Sequence, residues 1–450
     1  MKHCTLLLAI GLLLPVSIRA QESSLVIYNT DLALVRKVMD MDLSKGTQRV
    51  TFSEVSDRID PTSVRLESPD GGVKLIEQSF QFALVSSQRI LQETIGKPLT
   101  IRVKGGDIIQ GTLLSSGGDI VLRESGGRIN VLRADSIERF EFPELPAGMV
   151  SRPVLVWKLD SARAGKNRVI VSYLTSGLTW HAEYSAVVNA AQTELELSSL
   201  VSLENSSGES FPDSQLKLVA GDIHRAASPR PLPRFAAKEA MMAAPAADQA
   251  GGFQERGVSE YHLYELQGKT TVTNAEIKQI SLFPPIKTAV QRKFVFDASR
   301  DPASVSVNIE FVNTEKDGLG MPLPGGKVRA YRLDTDNSPV LVGEDVMAHT
   351  PKNERVRLNL GNAFDLKAER KVMDNRTISA RINEQEVEVI LRNQKSQPAT
   401  ITVVESLHGD WEIVKKSQDF VRKDANTIEF IVNVPAGGQS AVLYTVRNKF

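Results

Sequence analysis

"NRVIVSYLTSGLTWHAEYSAVV", Asn167 to Val188, alternates apolar and polar residues on both sides of Ser176-Gly177. A period of two is the signature of a strand with one buried face. On that reading Trp180, Ala182 and Tyr184 point one way, and His181 and Glu183 point the other. The same rhythm extends outward in both directions. "SLVIYN", "ALVRKVMDMDL", "TQRVTF" and "SVRLES" fill residues 24–68, and "PVLVWKLD", "ELELSSLVSLEN" and "LKLVAGD" lead to Asp222. From Tyr261 onward come "KFVFDA", "SVSVNIEFVN", "KVRAYRLD", "EVEVILRN", "ATITVVESL", "TIEFIVNV" and "SAVLYTVRN".

Short strands spaced about 8–12 residues apart, with few helical stretches, predict β-sandwiches. The expected fold class is mainly β, with two Ig-like sandwich regions and a small inserted barrel. A chain of 450 residues accommodates two or three such domains. The expected boundaries are 21–85 and 144–225 for the two parts of an N-terminal sandwich and 258–450 for a C-terminal one. Residues 226–257, rich in Ala, Pro and Gly without alternation, read as a linker.

The insertion, 86–143, starts as a short helix in "SSQRILQETIG", capped by Ser86 or Ser87 and ended by Gly96. "PLTIRV", "DIIQGTLLSSG", "DIVLRE", "RINVLR" and "IERFEF" then give five short strands, with Gly111 placed to permit a sharp bend. Helix plus five bent strands resembles an Sm-like or SH3-like barrel. RNA-binding barrels of that kind rely on basic and aromatic loops. Here the loops read "KGGD", "SSGGD" and "ESGGR", so a structural or protein-contact role is expected and no nucleic acid.

Lys plus Arg equal Asp plus Glu at 54 each, which removes any global attraction for nucleic acid or anionic lipid. Residues 1–20 have a basic start, a short apolar run and Ala20 before "QESS", the pattern of a signal peptide. The apolar run is short of the roughly 20 residues that span a bilayer. Export is therefore expected, to the periplasm or the cell exterior, with at most peripheral attachment to the envelope and no transmembrane segment after cleavage. Cleavage would remove Lys2, Arg19 and Cys4, the single cysteine. The mature chain is then without disulfides or thiolate chemistry.

Five phrases taken together are familiar: "SYLTSGLTWHAEYSAVV" (172–188), "SLENSSGESFPDSQLKLVAGD" (202–222), "YHLYELQGKTTVTNAEIKQISLF" (261–283), "GLGMPLPGGKVRAYRLD" (318–334) and "GEDVMAHTPKNERVRLNLGNAFDL" (343–366). Over roughly residues 150–450 the chain resembles the bacterial domain-of-unknown-function family 4139, related to mucoidy-inhibitor-A-like proteins. The resemblance implies an exported β-sandwich and carries no agreed activity, substrate or catalytic residue.

The last of these phrases has the densest grouping of ligand-type side chains. Asp345, His349 and Glu354 suggest a metal or acid–base site, but Pro351 opposes the helix on which a zincin motif depends. "TPKN" instead predicts a hairpin turn with Pro351 in its second position and His349 facing Glu354 across the strands. Asp345 would lie about 13 Å from His349 along a strand at roughly 3.3 Å per residue, too far to share an ion. "MPLPGGK" lacks the first Gly and the Ser or Thr of a phosphate loop. "DTDNSPVLVGED" begins like a calcium loop, but Pro339 replaces the obligatory Gly. His181 has no nucleophile near it in sequence, and a solvated or packing role is expected. No catalytic, cofactor or metal residue is assigned, and no cofactor is expected. The favoured function is a non-enzymatic exported protein working through surface contacts with an envelope protein or polysaccharide. The alternative is a hydrolase or carbohydrate-active enzyme whose carboxylates, such as Glu204, Glu209 and Asp222, converge in the fold.

Overall fold

A computed structural model of the chain describes residues 22–82, 86–144, 146, 149, 152–221, 253–258 and 261–449. Residues 1–20, expected to be a signal peptide, Asp222 and most of the 226–257 stretch lie outside these residues. The described chain is mainly β, as the alternation predicts. One α-helix, Ser87–Glu93, opens the inserted module. Ser86 accepts the N–H of Arg89 at its start, and Gly96 follows it with φ +83°, a left-handed turn that favours glycine.

The module has its own small core of Leu91, Leu99, Ile101, Leu113, Ile120 and Leu122. Its strand order is Ile137–Glu141, Pro98–Val103, Ile108–Ser115, Ile120–Arg123, Ile129–Leu132. That is the order of a five-strand barrel cut open between its fourth and fifth strands. The expected barrel is therefore an open sheet, bulged between Leu113 and Ser115. Gly111 sits where a Cβ would lie 2.7 Å from the Arg123 carbonyl oxygen, so only glycine allows this close approach.

The large body contains three sheets around one core, which Ile309, Phe311, Val356 and Leu358 of the C-terminal sheet also enter. A seven-stranded sheet runs Phe253–Val258, Tyr261–Val272, Phe211–Ala220, Glu22–Tyr28, Ala33–Leu43, Gly165–Thr175, Arg65–Glu67. A three-stranded sheet runs Gly46–Phe52, Val154–Ser161, Val73–Gln81, and a five-stranded one Glu276–Ala289, Glu194–Asn205, Leu178–Val188, Gly326–Leu333, Pro339–Met347. Trp157 stacks on Phe52 at 5.4 Å between ring centroids. Trp180 meets Tyr264 edge-on at 6.2 Å. Trp180, Ala182 and Tyr184 are buried and His181 is exposed, as the opening stretch predicts.

The C-terminal body is a nine-stranded sheet folded over on itself, so that Phe430 on one half stacks against Tyr444 on the other at 5.5 Å. Its core includes Phe296, Val389, Ile401, Val432 and Val442.

Two boundaries differ from those read in the sequence. Residues 258–450 are not one sandwich: Tyr261–Val272, Glu276–Ala289, Gly326–Leu333 and Pro339–Met347 all pair into sheets of the large body. The decisive contact is the parallel pairing of Leu178–Val188 with Gly326–Leu333, a partnership that alternation does not encode. The stretch 226–257 is not wholly a linker either. Phe253–Val258 is an edge strand on Tyr261–Val272; its polar "FQERG" hides the alternation because an edge strand buries little of either face.

Candidate functional site

The stretch 343–361 has a different geometry from the predicted hairpin. Pro339–Met347 pairs with Gly326–Leu333 in the five-stranded sheet, whereas Arg355–Ser379 pairs with Ser304–Val312 in the nine-stranded sheet. The chain therefore forms an arch between two sheets. Glu354 donates its N–H to the Pro351 carbonyl at 3.4 Å, which puts Pro351 first in the turn and not second. The left-handed residue is Asn353, at φ +67°.

The side chains of Asp345 and His349 already have structural partners in the arch. Asp345 accepts the Asn359 N–H at 2.6 Å and the Val346 N–H at 2.8 Å, joining the two legs where no strand ladder does so. His349 Nδ1 accepts the Gly325 N–H at 2.9 Å, and its Nε2 lies 3.3 Å from Asn29 Nδ2. Glu354 uses its backbone carbonyl to accept the Asn313 N–H at 2.9 Å. Among the described residues no three His, Cys, Asp or Glu side chains gather where a metal could sit. His349→Ala is expected to lower stability by about 1 kcal/mol through the lost acceptor and to leave metal content unchanged. Elemental analysis and thermal unfolding check this; loss of a stoichiometric metal in the variant would contradict it.

The glycine- and proline-rich loop 318–326 is also built inward. The Tyr184 hydroxyl donates to the Pro324 carbonyl at 2.7 Å and that of Tyr264 to the Pro322 carbonyl at 3.0 Å. Burial raises both phenols above their ordinary range, helped in Tyr184 by Tyr264 and in Tyr264 by Glu255, so both remain donors. Leu323 and Thr350 exchange backbone hydrogen bonds at 2.9 Å. A phosphate cradle presents free N–H groups; here those of Leu323 and Gly325 are taken. The stretch Asp334–Asp345, which begins like a calcium loop, is a strand turn followed by Pro339–Met347. Asp336 accepts from the Ser338 hydroxyl at 2.6 Å and from its N–H at 2.9 Å, and these bonds hold its carboxyl below the usual range.

Asn313 is the centre of this corner. It is fully buried, donates Nδ2 to the carbonyls of Met321 at 2.7 Å and Pro351 at 2.9 Å, and accepts the Gly320 N–H at 3.0 Å. Asn205 does the same at the end of Glu194–Asn205, toward Glu209 and Val272, and Asn393 at the end of Ile382–Asn393, toward Gln397, Val434 and Pro435. The sequence reading missed all three. Their common signal is an Asn closing an alternating run, in "SLEN", "EFVN" and "ILRN".

The outer face of the five-stranded sheet has a charged row. His181 Nε2 lies 3.1 Å from Glu183, closer than backbone spacing alone allows because both side chains lean. Arg329 joins Glu183 to Glu344, and Lys327 holds Glu344 at 2.9 Å. The hydrogen bond to Glu183 raises the Arg329 guanidinium, and Lys327 followed by Arg329 lowers Glu344. Exposed pairs of this kind contribute little to stability. Of the carboxylates proposed to converge, Glu204 is exposed on this face and Glu209 is turned into the core, so these two do not share a site.

The inserted module has a shallow groove of about 730 Å³, lined among others by Thr100, Gln110, Thr112, Arg123 and Glu141. Beside it, Ile108, Ile129 and Val131 are exposed. Ile129–Leu132 pairs only with Ile120–Arg123, leaving its other edge open among the described residues.

No curated protein matches the chain. The family described as "Domain of unknown function (DUF4139)" matches residues 169–419. This match omits the inserted module and the N-terminal strands, and it runs through parts of both bodies. Because the match spans more than half of the 450 residues, the chain belongs to the DUF4139 family.

Proposed function

We propose that the protein is exported and acts without catalysis, through contacts between its inserted module and a protein of the bacterial envelope. The observation that carries this reading is the open apolar edge of the module. Val131 is 61% exposed and Ile129 49%, on a strand whose second backbone edge is free among the described residues, in a unit whose core is separate from that of the large body. A free edge supplies main-chain hydrogen bonds to an incoming strand, and exposed β-branched side chains supply the apolar contact. Export rests on the basic start and short apolar run of residues 1–20.

The test uses the full chain expressed in its native host. Ile129→Lys with Val131→Lys is expected to leave thermal stability nearly unchanged, since surface substitutions fall within about 0.5 kcal/mol. Recovery of a co-purifying envelope protein should fall about tenfold, the loss of roughly 1.4 kcal/mol of contact. Unchanged recovery would remove the module from the interface. Cytoplasmic protein with an intact Met1 would overturn export.

A further inference from the structure

Lys37 and Glu209 form an ion pair inside the large body, with side chains 4% and 10% exposed. Lys37 lies on Ala33–Leu43 and Glu209 on the loop before Phe211–Ala220, 172 residues away. Nζ also donates to the Glu54 carbonyl at 2.8 Å. It lies 5.8 Å from the Phe52 ring centroid and 5.7 Å from that of Phe211. The other carboxylate oxygen, Oε2, accepts from the Tyr173 hydroxyl at 2.7 Å and the Ser56 hydroxyl at 3.3 Å. Tyr173 and Ser56 are both fully buried. The Glu209 backbone is itself held, its carbonyl accepting from Asn205 Nδ2 at 2.8 Å.

We propose that this cluster is a modification site at which Lys37 and Glu209 condense into an intramolecular amide. The buried pair places a nucleophilic nitrogen against a carboxyl group, between two aromatic rings and beside two hydroxyl donors aimed at one oxygen. Transfer of the shared proton from Nζ to the carboxylate removes both charges from a site with little water. Nζ then attacks Cδ, the Nζ–Cδ bond forms, and negative charge collects on Oε2, where the two hydroxyls donate. The Cδ–Oε1 bond breaks, and Oε1 leaves as water with the acid proton and one proton from Nζ. An amine and a carboxylic acid become an amide and water, with no oxidant or reductant.

Two features favour the amide. Fixing both groups in contact provides effective concentrations on the order of 10⁵–10⁸ M for well-oriented partners. The product is also matched by what surrounds it: its N–H has the Glu54 carbonyl, and its C=O has Tyr173 and Ser56. Burial, followed by the charge of Glu209, raises the Tyr173 phenol well above its ordinary range, so it stays a donor throughout. With Cys4 the single cysteine, no disulfide can form within the chain, and this amide would be the covalent link between the N-terminal strands and the 206–220 segment.

The experiment is intact-mass spectrometry of the denatured full-length wild type, with fragment mapping. The expected result is a chain lighter by one water than the sequence counted from its observed N-terminus, with a branched fragment joining Lys37 to Glu209. Lys37→Met, which removes the nucleophile, should have its full sequence mass. A wild type at full mass would overturn the proposal, and this reading does not depend on whether any variant folds. A deficit that persists in Lys37→Met would also overturn it, placing the dehydration elsewhere, for example in a succinimide at Asp70-Gly71 or Asp317-Gly318.

Discussion

Glu209→Ala is expected to unfold about 3–5 kcal/mol more easily than the double variant Lys37→Met/Glu209→Gln. The single change leaves an ammonium group buried between Phe52 and Phe211 with the Glu54 carbonyl as its remaining partner in the cluster. It also takes the acceptor from the Tyr173 and Ser56 hydroxyls. The double variant removes the charge from both sides and keeps a side-chain oxygen for those hydroxyls. Breaking a buried pair costs more than deleting it, because a lone charge in a poorly polarisable site has nothing to replace its lost hydration. Neither variant can form the proposed amide, so their difference reports the buried charge alone. Urea unfolding followed by the fluorescence of the buried Trp157 and Trp180 makes the comparison. Coincident midpoints would mean that water reaches Lys37 and that the site is not dry.

Asn313→Ala should destabilise the chain by about 3 kcal/mol or more, since each buried polar group left unmatched costs about 1–3 kcal/mol. Two lose the partner Asn313 gives them, the Met321 carbonyl and the Gly320 N–H, and the Pro351 carbonyl keeps only the Glu354 N–H at 3.4 Å. Asn313→Asp separates the contributions. A carboxylate still accepts from Gly320 but cannot donate to the carbonyls, so it should rescue little. Chemical denaturation gives the size of the effect, and hydrogen exchange at the amides of 319–325 gives its location. If Asn313→Asp proves as stable as the wild type, the donor role assigned to Nδ2 is wrong.

The two substitutions act on features that differ in how visible they are in the sequence. Asn313 has a local signature, because it closes an alternating run and is followed by a loop rich in Gly and Pro. Lys37 and Glu209 have none. Within "ALVRKVMDMDL" Lys37 reads as one more polar residue on an alternating strand, and nothing near Glu209 names its partner 172 positions away. The arch at 343–361 lies between these cases. Both of its strands were legible, and so was a turn, read at Thr350–Asn353 and found one residue later at Pro351–Glu354, but not that the strands belong to different sheets.

By itself the sequence determined what alternation and turn chemistry encode locally. It placed Trp180, Ala182 and Tyr184 on one face and His181 on the other, narrowed the helix cap to Ser86 or Ser87, and read the short helix and five short strands of the inserted module. Side chains decide these features through which face each residue presents and which backbone angles it tolerates. Tertiary structure alone decided which strands pair. Backbone hydrogen bonds in a ladder are nearly independent of side-chain identity, so a strand such as Gly326–Leu333 fits one neighbour's ladder as well as another's. The choice is made by packing across the sheets, where Val328 and Ala330 join the core of the large body with Ala182 and Tyr184. That packing carried residues 261–289 and 326–347 into the large body. It also brought Lys37 to Glu209 and gave Asp345, His349 and Glu354 separate partners.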